Sequence, residues 1–200
     1  MVATPNYNYI SPTEYLQGEE NSPIKYEYRD GEVYAMAGAS NTHVIITLNI
    51  ASMLRNHLRG SGCQAYISDT KAHIESINTY YYPDVIVSCH QKDKAFHNFL
   101  RYPCLIIEVL SPTTEAFDRG DKFADYRKLA SLQEYILISQ NRISVEVFRR
   151  NSEGKWVLYS YEPGENIHFE SINFNCPIAD VYEDVNFETA TGENISLLEN

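Results

Sequence analysis

The chain has 200 residues, 44% of them hydrophobic and 22% charged, with a formal net charge of −11. That length and composition suit one globular domain with a large core; they exclude a globally disordered chain and, since no apolar run approaches ~20 residues, a membrane-spanning helix. With 27 acidic against 16 basic residues, a protein that coats nucleic acid through a basic surface is also excluded, whereas an enzyme with a local basic groove around an acidic, metal-loaded centre is not.

The predicted elements follow in chain order. Ser11-Pro12-Thr13-Glu14 reads as a helix start, with Ser11 as N-cap and Pro12 in the first turn. Lys25–Tyr28 and Glu32–Met36 flank Asp30-Gly31, a tight-turn dipeptide, and read as a hairpin. Ser40 opens a helix in which Val44, Leu48, Ala51, Leu54 and Leu58 recur at helical steps, and Gly60 and Gly62 end it. Short strands follow: CQAYIS, KAHIES, YYPDVIVSC and PCLIIEVL, the last two joined by the polar connector KDKAFHNFLRY, which carries a helical turn. A helix is predicted from Arg119 to Leu132, then strands EYILIS, ISVEVFRR and KWVLYSY, with turns near Asn141 and at Asn151–Gly154. The order predicts one α/β (α+β) domain with a mixed central sheet flanked by helices. Its boundaries are an N-terminal segment over 1–24, a domain over 25–185 and a tail over 186–200.

Cys63, Cys89, Cys104 and Cys176 are widely spaced, without a CxxC or Cys/His cluster, so a structural zinc site is not expected. The start MVATPNYNYI lacks the charged and apolar regions of a signal peptide. Both observations predict a cytoplasmic protein with reduced, mostly buried thiols.

Three charged residues stand where the pattern asks for apolar ones. Glu108 lies inside Cys104-Leu105-Ile106-Ile107-Glu108-Val109-Leu110, a run that should be covered on both faces. A carboxylate there costs several kcal/mol unless it is paired or holds a metal. Asp84 heads the apolar run of Tyr82-Pro83-Asp84-Val85-Ile86-Val87. On its own it would be a turn former, but two consecutive core strands joined by a short connector should lie side by side and bring both carboxylates to one point. Lys122 shares a helical face with Tyr126 and Leu129, so it is expected to point toward the sheet rather than snorkel to solvent.

The runs YYPDVIVSC and PCLIIEVLSPTTEAFDRGDKFADYRKLASLQEYILIS resemble the Uma-two family of restriction-endonuclease-like proteins, part of the PD-(D/E)xK nuclease superfamily. The hairpin YEYRDGEVYAM, His43 and the tail from ISVEVFRR to KWVLYSYEPGENI fit as well, so the resemblance covers roughly residues 10 to 185. It implies a restriction-endonuclease-like core and metal-dependent hydrolysis of DNA phosphodiester bonds. Asp84 and Glu108 would be the acidic pair holding Mg²⁺ or Mn²⁺ with the Val109 carbonyl. The ion would polarise the scissile phosphate and acidify a bound water. Leu110 stands where the superfamily motif has Lys, and Lys122 matches a lysine displaced to the next helix. A partly desolvated Lys has a lowered pKa, which would suit it to activate the attacking water. Glu27, Glu32, His43 and Tyr126 are candidate accessory groups, and Arg119 and Arg127 candidate phosphate contacts. DNA is the implied partner. Cleavage of both strands needs two centres, which points to a homodimer. The alternative is a catalytically silent binding module of the same fold for DNA or protein. A metal-free two-carboxylate glycosidase is disfavoured by the single Trp, Trp156.

Overall fold

A computed structural model of the chain describes residues 9–187; most of the tail predicted over 186–200 lies outside them. In chain order the elements are α1 (Pro12–Asn21), β1 (Tyr26–Arg29), β2 (Glu32–Ala35), α2 (Asn41–His57), β3 (Gln64–Ile67), β4 (Lys71–Ile74), β5 (Thr79–Tyr81), β6 (Val85–Ser88), β7 (Phe99–Leu100), β8 (Leu105–Leu110), α3 (Glu115–Phe117), a π-helical turn (Asp118–Lys122), α4 (Phe123–Tyr126), β9 (Glu134–Ser139), β10 (Val145–Arg150), β11 (Trp156–Tyr161), β12 (Asn166–Phe169), β13 (Phe174–Pro177) and α5 (Ile178–Val181). The fold is mixed α/β, as the residue pattern predicts.

The large sheet has the order β11-β10-β9-β8-β6-β3 and is mixed: β8 and β9 run parallel, the other neighbours antiparallel. Period-two alternation divides its side chains between two cores. Val85, Val87, Leu105, Ile107 and Val109 pack with Ile46, Ile50 and Leu54 of α2. Ile86, Ile106 and Leu110 face the other way, onto Phe123, Tyr126 and Leu129. Each core covers one face of β8, which is why that strand reads as a continuous apolar run.

Two expectations need correction. The pattern predicts a single sheet, but the first hairpin builds a second one, β2-β1-β5-β4-β7, and β12 and β13 pair as a separate two-stranded sheet. YYPDVIVSC is accordingly two strands, not one. β5 joins the small sheet and β6 the large one, with Pro83 between them. Proline has no N–H for a ladder, so the chain changes sheets there. The helix predicted over 119–132 begins earlier, at Glu115, widens into the π turn and ends at Tyr126. The helix starts at Ser11 and Ser40 are as expected. Ser11 and Glu14 form a reciprocal capping box, and the Ser40 hydroxyl accepts the His43 N–H at 3.1 Å.

The thiols also differ. Cys63 precedes β3 and Cys89 follows β6, and the antiparallel register of those strands places the two side by side, joined in a disulfide. Cys104 and Cys176 are free, with the Cys104 sulfur 3.8 Å from that of Cys89. The expectation of four reduced thiols is therefore wrong for this pair. Strand register decides such a contact, and cysteine spacing alone does not reveal it. No helix among the described residues is long and apolar enough to cross a membrane.

Candidate functional site

The register of β6 and β8 fixes the first two groups. Val85 lies opposite Ile107 and Ile86 opposite Ile106. One step further along the same antiparallel ladder, Asp84 faces Glu108. Both point to the side of the sheet that carries Ile86 and Ile106. The Asp84 N–H lies 3.4 Å from Glu108 Oε2, and Asp84 Oδ2 accepts the Val109 N–H at 2.7 Å. The other oxygen, Oδ1, accepts from His43 Nε2 at 2.8 Å. His43 reaches it from the first turn of α2, whose start is set by the Ser40 cap.

The π turn supplies the cation. Asp118 and Lys122, four residues apart, both turn inward and are buried. Lys122 Nζ lies 3.0 Å from Glu108 Oε1, 3.0 Å from Glu27 Oε1 and 3.6 Å from Asp118 Oδ1. Tyr126, one turn on, donates its hydroxyl to Glu108 Oε1 at 3.1 Å. Glu27 comes from the small sheet. Its neighbour Tyr28 packs with Tyr15 and Tyr80, so alternation turns Glu27 to the opposite face, where it also accepts the Tyr82 N–H at 3.1 Å. One centre thus joins both sheets.

Electrostatics separates the roles. Burial pushes the Glu108 carboxyl well above the ordinary range; Lys122 opposes this, while Asp118, Asp84 and Glu27 add to it. Burial works against the Lys122 ammonium too, but Glu108, Glu27 and Asp118 together outweigh it and hold its pKa well above that of an ordinary lysine. The expected lowered lysine pKa is therefore overturned: this group stays a cation. Asp118 is raised by burial, with Lys122 and a hydrogen bond from Thr114 opposing.

These groups line one end of a cleft of about 480 Å³. Its other walls are the small residues Ala35, Ala37, Gly38 and Ala39 and the hydroxyls of Ser111, Thr113 and Thr114. Asp84, Glu108, Lys122, Glu27 and His43 all reach it, and Tyr126 braces Glu108 from behind. Glu32, Arg119 and Arg127 do not. Glu32 sits exposed on β2, where it accepts from the Tyr34 hydroxyl. Arg119 is held by Glu115 at 2.8 Å and by Glu146. Arg127 lies over the Phe123 ring, 5.1 Å from its centroid. Asp118 is a site residue that the sequence analysis does not single out, although it stands four residues before Lys122. That four-residue spacing was the available signal.

The donor set decides which cation would fit. Among the described residues no cluster of three His, Cys, Asp or Glu side chains forms a metal cage. Two carboxylates with open cleft beside them fit Mg²⁺ or Mn²⁺, which keep several waters and take one or two carboxylates plus substrate oxygens. They do not fit a closed structural site.

Comparison with known proteins agrees with this architecture. A protein of Synechocystis sp. (strain ATCC 27184 / PCC 6803 / Kazusa), "Uncharacterized protein slr1290", is 38% identical over 178 residues, covering 89% of this chain and 94% of that one. A second from the same organism, "Uncharacterized protein sll1609", is 34% identical over 163 residues, covering 80% and 92%. The crystal structure of "a putative nuclease belonging to DUF820" from Anabaena variabilis ATCC 29413 superposes with a TM-score of 0.70 at 18% identity, covering 87% of this chain and 98% of that one, which shows a shared fold. Residues 12–179 match the Uma2 family, described as "Putative restriction endonuclease", and the chain belongs to that family.

Proposed function

We propose that this protein is a divalent-metal-dependent endonuclease that hydrolyses phosphodiester bonds in DNA. The observation that carries the reading is the buried Glu108 carboxylate, which shares a cleft end with Asp84 and is met there by Lys122. Such a group is costly in a sheet core unless its charge has a use. Asp84, Glu108 and the Val109 backbone carbonyl would hold Mg²⁺ or Mn²⁺. A cation bound there would polarise the scissile phosphate and acidify a water.

The chain's own groups supply the rest. Lys122, kept protonated by its three carboxylates, offsets negative charge developing on the phosphoryl oxygens and is not a general base. His43 and the Val109 N–H fix the orientation of the Asp84 carboxylate. Tyr126 fixes that of Glu108. Glu27 holds Lys122 from the opposite sheet. Two strands require two such centres, so we infer a homodimer for duplex cleavage.

The test is a nicking assay on plasmid and oligonucleotide substrates with Mg²⁺ or Mn²⁺. Glu108→Gln and Asp84→Asn should each reduce cleavage by roughly 10²-fold or more, and EDTA should abolish it. Oligonucleotide binding without any cleavage across these metals would instead favour the silent binding module.

A further inference from the structure

The catalytic cleft does not end at Asp84. A second groove of about 330 Å³ shares Met36, Ala37, Gly38, Tyr82 and Asp84 with it. A third of about 390 Å³ shares Ile24, Lys25 and Tyr82 with the second and is lined as well by Lys71 and Asn98. Tyr82 is two residues before Asp84, so the backbone separating the two is at most about 7 Å long. Tyr82 therefore borders all three, with Asp84 close by.

Lys71 stands out in the third groove. It opens β4, its backbone is held by the Asn98 carbonyl at 3.2 Å, and only 4% of its surface is exposed. Among the described residues no oxygen accepts a hydrogen bond from its ammonium, and no carboxylate pairs with it. Its ammonium lies over the face of Tyr82, 4.8 Å from the ring centroid. Two of the three acids nearby, Asp69 and Glu19, are engaged elsewhere. Asp69 pairs with Lys25. Glu19 accepts from the Tyr82 hydroxyl at 2.6 Å and from the Tyr26 N–H at 3.1 Å. Glu20 lines the groove as well. Its stem is buried, and its ammonium is left without a protein acceptor among the described residues; burial pushes its pKa down while Glu19, Asp69 and Glu20 oppose. An anionic oxygen in the groove would supply the missing acceptor.

We propose that Lys71, beside the face of Tyr82, is a phosphate subsite that holds the nucleotide next to the scissile bond. The proposal rests on the nuclease reading for the identity of the strand. The shared chemistry is a phosphate oxygen accepting from Lys71, as a strand phosphodiester or as a free phosphate.

The experiment compares the unaltered chain with Lys71→Met, which keeps the stem length, and Lys71→Arg, which keeps the charge. A labelled single-stranded DNA dodecamer is titrated in EDTA over a salt series by fluorescence anisotropy. Inorganic phosphate binding is followed by phosphorus NMR line broadening. Lys71→Met should weaken the dodecamer about tenfold or more and make the salt slope shallower by about 0.7. Lys71→Arg should restore most of both, which an unfolding effect of the Met variant would not mimic. Unchanged affinity and slope in Lys71→Met overturn the subsite and leave the nuclease reading standing. Phosphate binding lost in Lys71→Met, with no dodecamer binding by the unaltered chain, keeps the subsite and removes the nuclease reading. If neither probe binds, the subsite is overturned.

Discussion

Glu108 and Lys122 define each other's charge, and this makes their substitutions unequal. Removing Lys122 leaves Glu27, Glu108 and Asp118 facing one another in a buried centre. Breaking a buried ion pair costs about 3–5 kcal/mol, and protonation of the carboxylates would recover part of it. Lys122→Met should therefore lose stability in urea unfolding and, compared at equal folded fraction, lose cleavage by roughly 10²-fold or more. Lys128→Met should do little, because Lys128 is half exposed and its partner Asp125 keeps the Tyr81 hydroxyl at 2.8 Å and Arg29 at 3.4 Å. Equal effects of the two substitutions would sink the assignment of Lys122. A second residue-scale expectation concerns His73, stacked on Tyr80 with ring centroids 4.1 Å apart and its Nδ1 without a partner among the described residues. Burial, helped by Arg101 and opposed by Glu75, pushes its pKa down from 6.5 to about 4. Above pH 6.5 the ring is neutral folded or unfolded. Between 6.5 and about 4 the unfolded chain takes up a proton that the folded chain refuses, so stability falls as pH falls through that window. The urea midpoint of His73→Phe should fall less over the same window; parallel curves would refute the assignment. At this scale the sequence was most informative, because a carboxylate in an apolar run is visible without coordinates. Lys71 was not, because nothing in KAHIES says that its acceptors are missing.

The π turn is the element that aims the site. A π turn widens the helix by one residue; such turns are rare and occur frequently at functional sites. Here it brings Asp118 and Lys122 to one side while Phe123 and Tyr126 stay in the core. Sequence periodicity cannot show this, because a four-residue spacing fits an α turn equally well. Gly120 sits in the middle of the turn, and a methyl group added there meets nothing within 4 Å. Gly120→Ala should therefore raise stability by about 0.4–1 kcal/mol through the unfolded chain, with cleavage unchanged. Gly31 is the contrasting case: it has φ +100° in the β1–β2 turn, and an added Cβ would lie 2.2 Å from the Tyr9 ring. Gly31→Ala should destabilise. The disulfide acts on elements as well, tying β3 to β6 across 26 residues of sequence. Cross-linking a loop of that length is worth about 3 kcal/mol in the chain-entropy account. Cys63→Ser should lower the urea midpoint accordingly, and a reductant should then have no further effect on the variant. If the unaltered chain ignores reductant, the pairing contributes nothing to its stability.

Two sheets meeting at a seam explain both what the molecule can hold and what the residue pattern concealed. Asp84 and Glu108 belong to the large sheet, Glu27 to the small one, and the π turn fills the angle between them. Reading YYPDVIVSC as one strand hides this, because a single strand gives Glu27 no route to Lys122. Splitting it at Pro83 sends Tyr81 and Asp84 to different sheets and opens the cleft between them. The charge distribution then limits the mode of binding. Lys25, Arg29, Arg101, Arg119, Lys128, Arg149 and Lys155 each pair with a carboxylate. Lys122 is enclosed by three. On a chain of net charge −11, eight cations are left without a carboxylate partner among the described residues, Arg55, Arg59, Lys71, Lys92, Lys94, Arg127, Arg142 and Arg150, and of these only Lys71 lines the cleft or the grooves beside Tyr82. A surface that grips a duplex through many phosphates shows a salt slope of about −0.9 per contact, and a single strand about −0.7. This protein should bind a single-stranded oligonucleotide with a slope no steeper than about −2, the equivalent of two or three phosphates. Affinity should come instead from Lys71 and from divalent cation at Asp84 and Glu108, so Mn²⁺ should strengthen binding where added NaCl weakens it only slightly. Anisotropy titrations over a salt series, with and without Mn²⁺ and with the Glu108→Gln variant to prevent cleavage in the presence of metal, measure both quantities. A slope steeper than about −4 would require a broad basic surface, and would reject a cleft that holds its strand by so few charges.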